Sequence, residues 1–206
     1  MNDTPNDSRG QVLDVFLRLV EERGYEEVSL GDVAAAACIG REDFYRLFPD
    51  KLALVQGFLA KIDGEVLAGT PAALDPEETV RDRLFDVLMR RFDALRPYKA
   101  ALAAIRRAAR RDPMMALVLG PTLMRSVAAM LEAAGVSATG LPGLVRQNAL
   151  AAIYAAVSRV FDKDDSADLS KTMAALDSRL KTAERWAQTL DKYTDFRRER
   201  VVSPAP

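Results

Sequence analysis

The chain contains no histidine and a single cysteine, Cys38. The first absence removes Ser/His/Asp and Cys/His nucleophile pairs, the HExxH zinc motif and imidazole general-base catalysis together. The second excludes an internal disulfide and a thiolate metal site. Neither GxGxxG nor GxxxxGK[ST] occurs, so no loop announces itself as a phosphate cradle. No paired carboxylate constellation stands out either, and the expectation is a non-enzymatic protein with no cofactor and no resident metal. Long apolar runs are not expected either: no stretch approaches the roughly 20 uncharged apolar residues of a membrane span. The opening residues, MNDTPNDSRG, are polar rather than a basic start followed by an apolar run, and a cytoplasmic protein is expected.

What is present is a chain of 206 residues, 49% hydrophobic and 29% charged, enough for one large or two small globular domains. Apolar residues recur at intervals of three and four from Val12 to Leu190, with no sustained alternation of period two, which predicts an all-α fold. Punctuation residues divide it into about nine helices. Val12, Val15, Phe16, Leu19 and Val20 form the stripe of a first helix over residues 8–24, stopped by Gly24. Ser29 and Asp32 have the spacing of a capping box and open a short helix from Leu30 to Ala37. Cys38-Ile39-Gly40 is a turn, a third helix covers Arg41 to Leu47, and Asp50 caps a fourth from Lys51 to Ala68. Further starts are predicted at Asp75-Pro76, Pro97 and Pro113, with a loop over 135–143. Two long helices over 144–162 and 168–190 follow, then a frayed polar tail from Asp191 that ends SPAP.

Residues 30–48 have the layout of a helix-turn-helix: a short helix, a tight turn containing glycine, and a second helix able to lie in a major groove. The wider string from Val12 to Leu54 resembles the N-terminal signature of the TetR family of transcriptional regulators. The resemblance is carried by Phe16, Gly24-Tyr25, Val28-Ser29-Leu30, Val33-Ala34, Ala37, Ile39 and the closing run Phe44-Tyr45-Arg46-Leu47-Phe48-Pro49-Asp50-Lys51 with Leu54. It implies a helix-turn-helix domain over residues 1–50 that binds double-stranded operator DNA as a homodimer. It also implies a ligand-binding and dimerisation domain over 51–206 that answers to a small apolar molecule, in most members by releasing DNA from a repressor. Carried over by position, Ser29 and Lys51 contact phosphates, while Arg41, Tyr45 and Arg46 face the groove.

Several positions depart from the family pattern. Cys38 stands where glycine is usual in the turn, Gly40 replaces the capping hydroxyl, and Glu42 and Asp43 occupy the first turn of the recognition helix. Two carboxylates there suit the helix dipole but repel a duplex, although a carboxylate accepts readily from a cytosine amino group. Up to Lys51 the acids Asp3, Asp7, Asp14, Glu21, Glu22, Glu26, Glu27, Asp32, Glu42, Asp43 and Asp50 outnumber the bases Arg9, Arg18, Arg23, Arg41, Arg46 and Lys51. Positive charge collects instead between Arg81 and Arg111, as a solvated face, a docking surface for acidic protein or lipid headgroups, or a partner for the acidic head.

In the second domain, Phe85, Leu88, Met89, Phe92, Leu102, Ile105, Leu123, Met124 and Val127 supply large, flexible apolar groups and are the candidate ligand pocket. The family resemblance places the dimer contact on the last two helices, with Leu150, Ile153, Val157, Met173, Leu176, Leu180 and Ala183 as candidates. The segment Leu150 to Leu190 is also similar to the coenzyme Q biosynthesis accessory protein, a TetR-fold lipid-binding protein without a DNA-binding role. That similarity implies an alternative, a lipid- or isoprenoid-binding accessory protein of quinone biosynthesis.

Overall fold

The computed structural model describes residues 5–202 apart from Ala72 and Leu74, with side chains described over residues 8–188. Among the described residues there are nine α-helices and no strand: α1 (Pro5–Arg23), α2 (Leu30–Ala36), α3 (Arg41–Leu47), α4 (Lys51–Ala68), α5 (Val80–Leu95), α6 (Lys99–Arg111), α7 (Pro113–Ala133), α8 (Gly140–Phe161) and α9 (Ser170–Val202). The all-α expectation and the approximate helix count both hold.

The head forms from short-range signals. Gly24, at φ +91°, ends α1 by donating its N–H to Val20 O at 2.9 Å in a backbone conformation that side-chain-bearing residues rarely adopt. Ser29 Oγ accepts from Asp32 N while the Asp32 carboxylate accepts from Ser29 N, so the capping box is complete in both directions. Cys38 takes φ +55° in the turn between α2 and α3, a left-handed conformation that favours glycine. A left-handed non-glycine residue costs about 1–2 kcal/mol, part of which glycine returns through its floppier unfolded chain. Cys38→Gly should therefore raise the unfolding free energy by about 0.5–1 kcal/mol, read by urea denaturation, and a loss of stability would show that the exposed Cys38 side chain makes contacts that matter.

Val12, Phe16, Phe44 and Phe48 close the head's core, which Leu54 and Phe58 of α4 complete from the other side. Burial of these side chains, each worth about 1.5–3 kcal/mol, is what holds the two seven-residue helices α2 and α3 against α1 and α4. The same α4 packs on α5 and α7, so it belongs to the head and to the body at once. Lys61 pairs with Asp14 of α1 at 2.8 Å, and the Phe58 ring meets Tyr98 edge-on at 5.0 Å, joining the two parts.

Several boundaries differ from those predicted. Asp75-Pro76 makes a turn, with Asp75 accepting from Glu77 N, and α5 starts at Val80 behind the cap Thr79. Residues 96–98 form a 3-10 turn around Pro97 before α6 begins. The expected loop ends early, because α8 starts at Gly140 and takes in Pro142 and Gly143. The backbone of α9 remains helical to Val202 rather than fraying at Asp191, while the SPAP end lies outside the described residues. The expectation about apolar runs also needs correction: α7 is long and apolar enough to cross a membrane, with mean hydropathy 1.6. It nonetheless packs against α4, α5, α6 and α8 as a member of the helical bundle.

The basic stretch turns out to stitch the body together. Arg83 donates to Glu78 O and Ala134 O, Arg90 to Thr70 Oγ1, Arg96 to Ala167 O and Lys99 to Asp164 O. Arg106 pairs with Asp162, Arg81 with Asp82 and Glu184, and Arg111 reaches Glu26 of the head at 3.6 Å. Arg107 and Arg110, in the last turns of α6, are exposed, as are Arg96 and Arg111. Asp164 anchors the turn before α9: its carboxylate accepts from Ser166 N and Oγ and from Thr172 N and Oγ1, which hold its pKa well below the usual carboxylate range despite burial.

Candidate nucleic-acid interface

The helix-turn-helix presents α3 on the outside of the head, with Phe44 turned inward and fully buried. Tyr45 is 46% exposed and stands edge-on to the buried Phe44, ring centroids 5.9 Å apart, which braces its ring. Arg41 lies exposed at the start of the helix. These two are exposed on α3, one helical turn apart.

The other three candidates are engaged within the chain. Arg46 donates to Asp43 at 2.9 Å and to Glu42 at 3.2 Å, a fork closed by the two carboxylates that depart from the family pattern. Each such exposed pair is worth under about 1 kcal/mol, so Arg46 can leave for a phosphate, but its positive field is cancelled until it does. Ser29 Oγ donates to Asp32 at 2.6 Å, and that hydrogen bond is the main reason the Asp32 pKa is lowered.

Lys51 does not point outward. Its Nζ donates to Tyr25 O at 2.7 Å and Val28 O at 2.8 Å, with Glu26 O at 3.4 Å, and lies 4.4 Å above the Tyr25 ring. Burial pushes its pKa down, opposed by the nearby carboxylates of Glu26 and Glu27. Burial, with Asp50 and Asp112 close by, pushes the Tyr25 phenol up to about 12. The lysine therefore acts as a peg that ties the start of α4 to the loop between α1 and α2. Its Nζ is engaged by three backbone carbonyls, a destination that a four-carbon stem reaches easily and that sequence position alone does not reveal.

In the body, the candidate pocket residues Leu88, Phe92 and Val127 have no exposed surface, Met89, Leu102 and Ile105 are buried, and Phe85, Leu123 and Met124 are half-buried. They fill the core; Phe92 stacks on Tyr154 with centroids 5.4 Å apart and packs on Phe161 at 5.1 Å. The clefts described in the structure lie elsewhere. One of about 240 Å³ runs between the α4–α5 connection and α5, along Thr70, Arg83, Asp86 and Arg90. Another of about 110 Å³ separates the end of α1 from α6, along Arg23, Tyr25, Arg107 and Arg111.

The candidate dimer residues divide. Leu150, Val157, Leu176 and Leu180 are buried inside the protomer and unavailable to a partner, because α8 and α9 pack on each other and on the body through that face. Ile153 and Ala183 are half-buried and Met173 is 41% exposed. The outward face of α8 instead carries Leu141 at 80% exposure, Leu144, Val145, Asn148, Ala152 and Ala155, an apolar and small-residue stripe at helical spacing. The periodicity of α8 is ambiguous because both of its faces are apolar.

Residues 12–57 match the model of bacterial regulatory proteins of the tetR family. No curated protein sequence matches the chain. Among solved structures, the TetR transcriptional regulator from Nitrosomonas europaea ATCC 19718 superposes with TM-score 0.72 at 19% identity, over 85% of this chain and 97% of the other. The tetR-family transcriptional regulator from Streptomyces coelicolor gives 0.60 at 20% identity, over 99% and 92%. A TetR transcriptional regulator from Rhodococcus sp. RHA1 gives 0.56 at 21%, over 86% and 98%. Residues 12–57 thus match the tetR-family regulatory model, and the chain as a whole has the fold of these solved structures.

Proposed function

We propose that the protein is a TetR-type DNA-binding transcriptional regulator, acting as a homodimer that represses by occupying an operator and releases it when the body takes a small apolar ligand. The observation that carries this reading is the head itself. A capped α2, a tight turn and an exposed α3 present Arg41 and the braced Tyr45 outward, on a domain that matches the tetR regulatory model. The dimer forms through the outward faces of α8 and α9, where Leu141, Leu144, Val145 and Met173 are exposed and Ala152 and Ala155 permit close approach.

A second reading, a lipid- or isoprenoid-binding accessory protein that does not bind DNA, is favoured by one specific feature. Glu42 and Asp43 close on Arg46 while Lys51 is turned inward, so the reading face is acidic at its centre.

Fluorescence anisotropy on duplexes from around the protein's own gene separates the two. The regulator binds below about 1 μM at low salt and weakens steeply as salt rises, because phosphate contacts release counterions. Tyr45→Ala loses at least about tenfold in affinity while keeping its fold, since only an outward ring is removed. Absence of binding by a folded dimer even near about 50 mM salt turns the assignment to the second reading, which lipid extraction and mass spectrometry of the purified protein then test.

A further inference from the structure

A single residue, Asp112, separates the end of α6 from the start of α7, so the chain turns a sharp corner there. Asp112 is spent on that corner, its carboxylate accepting from Met114 N and Met115 N. Beyond it the first turns of α7 have two faces. Met115, Leu119 and Thr122 are turned inward at helical spacing. Met114, Leu117, Val118 and Pro121 are turned outward, Met114 at 65% and Leu117 at 67% exposure. Four apolar residues on one face of two helical turns make a stripe about 10 Å long. Only 33% of the most apolar stretch of α7 is buried within the protomer, so this stripe is hydrocarbon left in water.

Positive charge frames the stripe. Arg107, Arg110 and Arg111 occupy the last two turns of α6 and are exposed, and Arg125 follows on the outward face of α7, one turn past Pro121. From Arg106 to Arg125 the chain carries five arginines and a single acid, Asp112. Among the described residues neither Arg107 nor Arg110 is in an ion pair, and Arg111 meets Glu26 at 3.6 Å with both side chains mostly exposed. A protein partner is recognised through a shaped contact from whose centre charge is depleted. A bilayer asks for no shape: it takes up hydrocarbon to a depth of about 5–10 Å and holds guanidinium groups at the level of its phosphates. Two turns of helix with methionine, leucine and valine outward, and arginine before and after them, meet both demands.

We propose that the corner between α6 and α7 docks on an anionic lipid bilayer, with Met114, Leu117 and Val118 entering the acyl boundary and Arg107, Arg110 and Arg125 set against lipid phosphates. The contact is peripheral and reversible, since the inserted area is small and Met115 and Leu119 remain packed in the body. The stripe lies on a different helix from the reading face of α3 and from the Leu141 stripe of α8, so the proposal stands apart from the regulator reading.

Flotation of the full chain with lipid vesicles tests this without DNA. The protein should float with vesicles of equal parts phosphatidylglycerol and phosphatidylcholine at low salt, and bind phosphatidylcholine alone at least about tenfold more weakly. Salt near about 0.5 M should weaken the anionic binding at least about fivefold by screening the arginines. Met114→Ser with Leu117→Ser should lower it at least about tenfold by removing the inserted hydrocarbon. Arg107→Gln with Arg110→Gln should lower it by a similar factor while leaving the weak binding to neutral vesicles unchanged. All four side chains are exposed, so both variants should keep the parent's circular dichroism. Binding that ignores lipid charge, or that survives either pair of changes, overturns the proposal. Absence of binding by the folded parent also overturns it, and a smaller species on size exclusion of the serine variant would then assign the stripe to a second copy of this chain. Where a variant fails to fold, the contrast between anionic and neutral vesicles at the two salt concentrations decides alone.

Discussion

Replacing Lys51 by alanine should lower the unfolding free energy by about 2 kcal/mol, a large share of the stability of a small domain. The lysine side chain donates charge-assisted hydrogen bonds to Tyr25 O and Val28 O and covers the Tyr25 ring. Alanine leaves those partly buried carbonyls without a donor and removes the aliphatic stem that packs beside them. Lys51→Met separates the two contributions: it keeps most of the stem and loses the donors, so it should recover only a minor part of the loss. Urea denaturation followed by circular dichroism reads both variants. Near-parent stability in Lys51→Ala would mean that water satisfies the carbonyls and that the peg has no structural role. A loss of DNA binding in Lys51→Ala is then first a loss of head structure, and says nothing by itself about a phosphate contact.

Changing Glu42 to Gln and Asp43 to Asn together should raise affinity for duplex DNA by about tenfold at low salt. Each head then loses two negative charges that face the duplex, and Arg46 is released from the fork that holds it. The released arginine should also steepen the salt dependence, adding about one unit per head to the slope of log affinity against log salt as one more phosphate is neutralised. Thermal stability should barely move, since the pairs are exposed and the first-turn acids gain only about 0.3–1 kcal/mol each from the helix dipole. Unchanged affinity and slope would place the two acids away from the DNA, whereas weaker binding would show them accepting from base amino groups. The comparison of the double variant with the parent therefore also reports whether the acids repel the backbone or read cytosine.

Local chemistry was legible in the sequence where its range is a single turn. The capping box at Ser29 and Asp32, the stop at Gly24 and the cap at Asp50 all form as their spacing predicts. Asp75-Pro76 misleads because the same pair that opens a helix also opens a turn, and the hydroxyl of Thr79 supplies the better cap four residues later. The destinations of long cationic side chains were not legible, since they are decided by tertiary packing. Arg96 ends on Ala167 O and Arg106 on Asp162, partners far along the chain, so much of a run that reads as a basic face is spent on internal ties. Four residues expected at a dimer contact, Leu150, Val157, Leu176 and Leu180, are buried within the protomer for a related reason. Leu150 and Val157 share α8 with Leu141 and Val145, and periodicity marks a helix as apolar on two sides without saying which side meets its own protomer. The buried cluster of Arg91, Asp63, Tyr154 and Ser126 had no sequence signal at all, since its four members come from four helices.

The inward turn of Lys51 also gives the head a clock. Amine-acylating reagents attack a neutral, accessible nitrogen, and this one is held by carbonyls beneath an aromatic ring while Lys163 and Lys171 stand in solvent. Acylation of Lys51 requires its amine to leave the carbonyls of the loop between α1 and α2, so a change in its rate relative to the two surface lysines follows a change in that attachment. Followed by mass spectrometry with and without a bound molecule, that ratio registers a tightening or slackening of the head directly, whether or not the molecule itself has been identified.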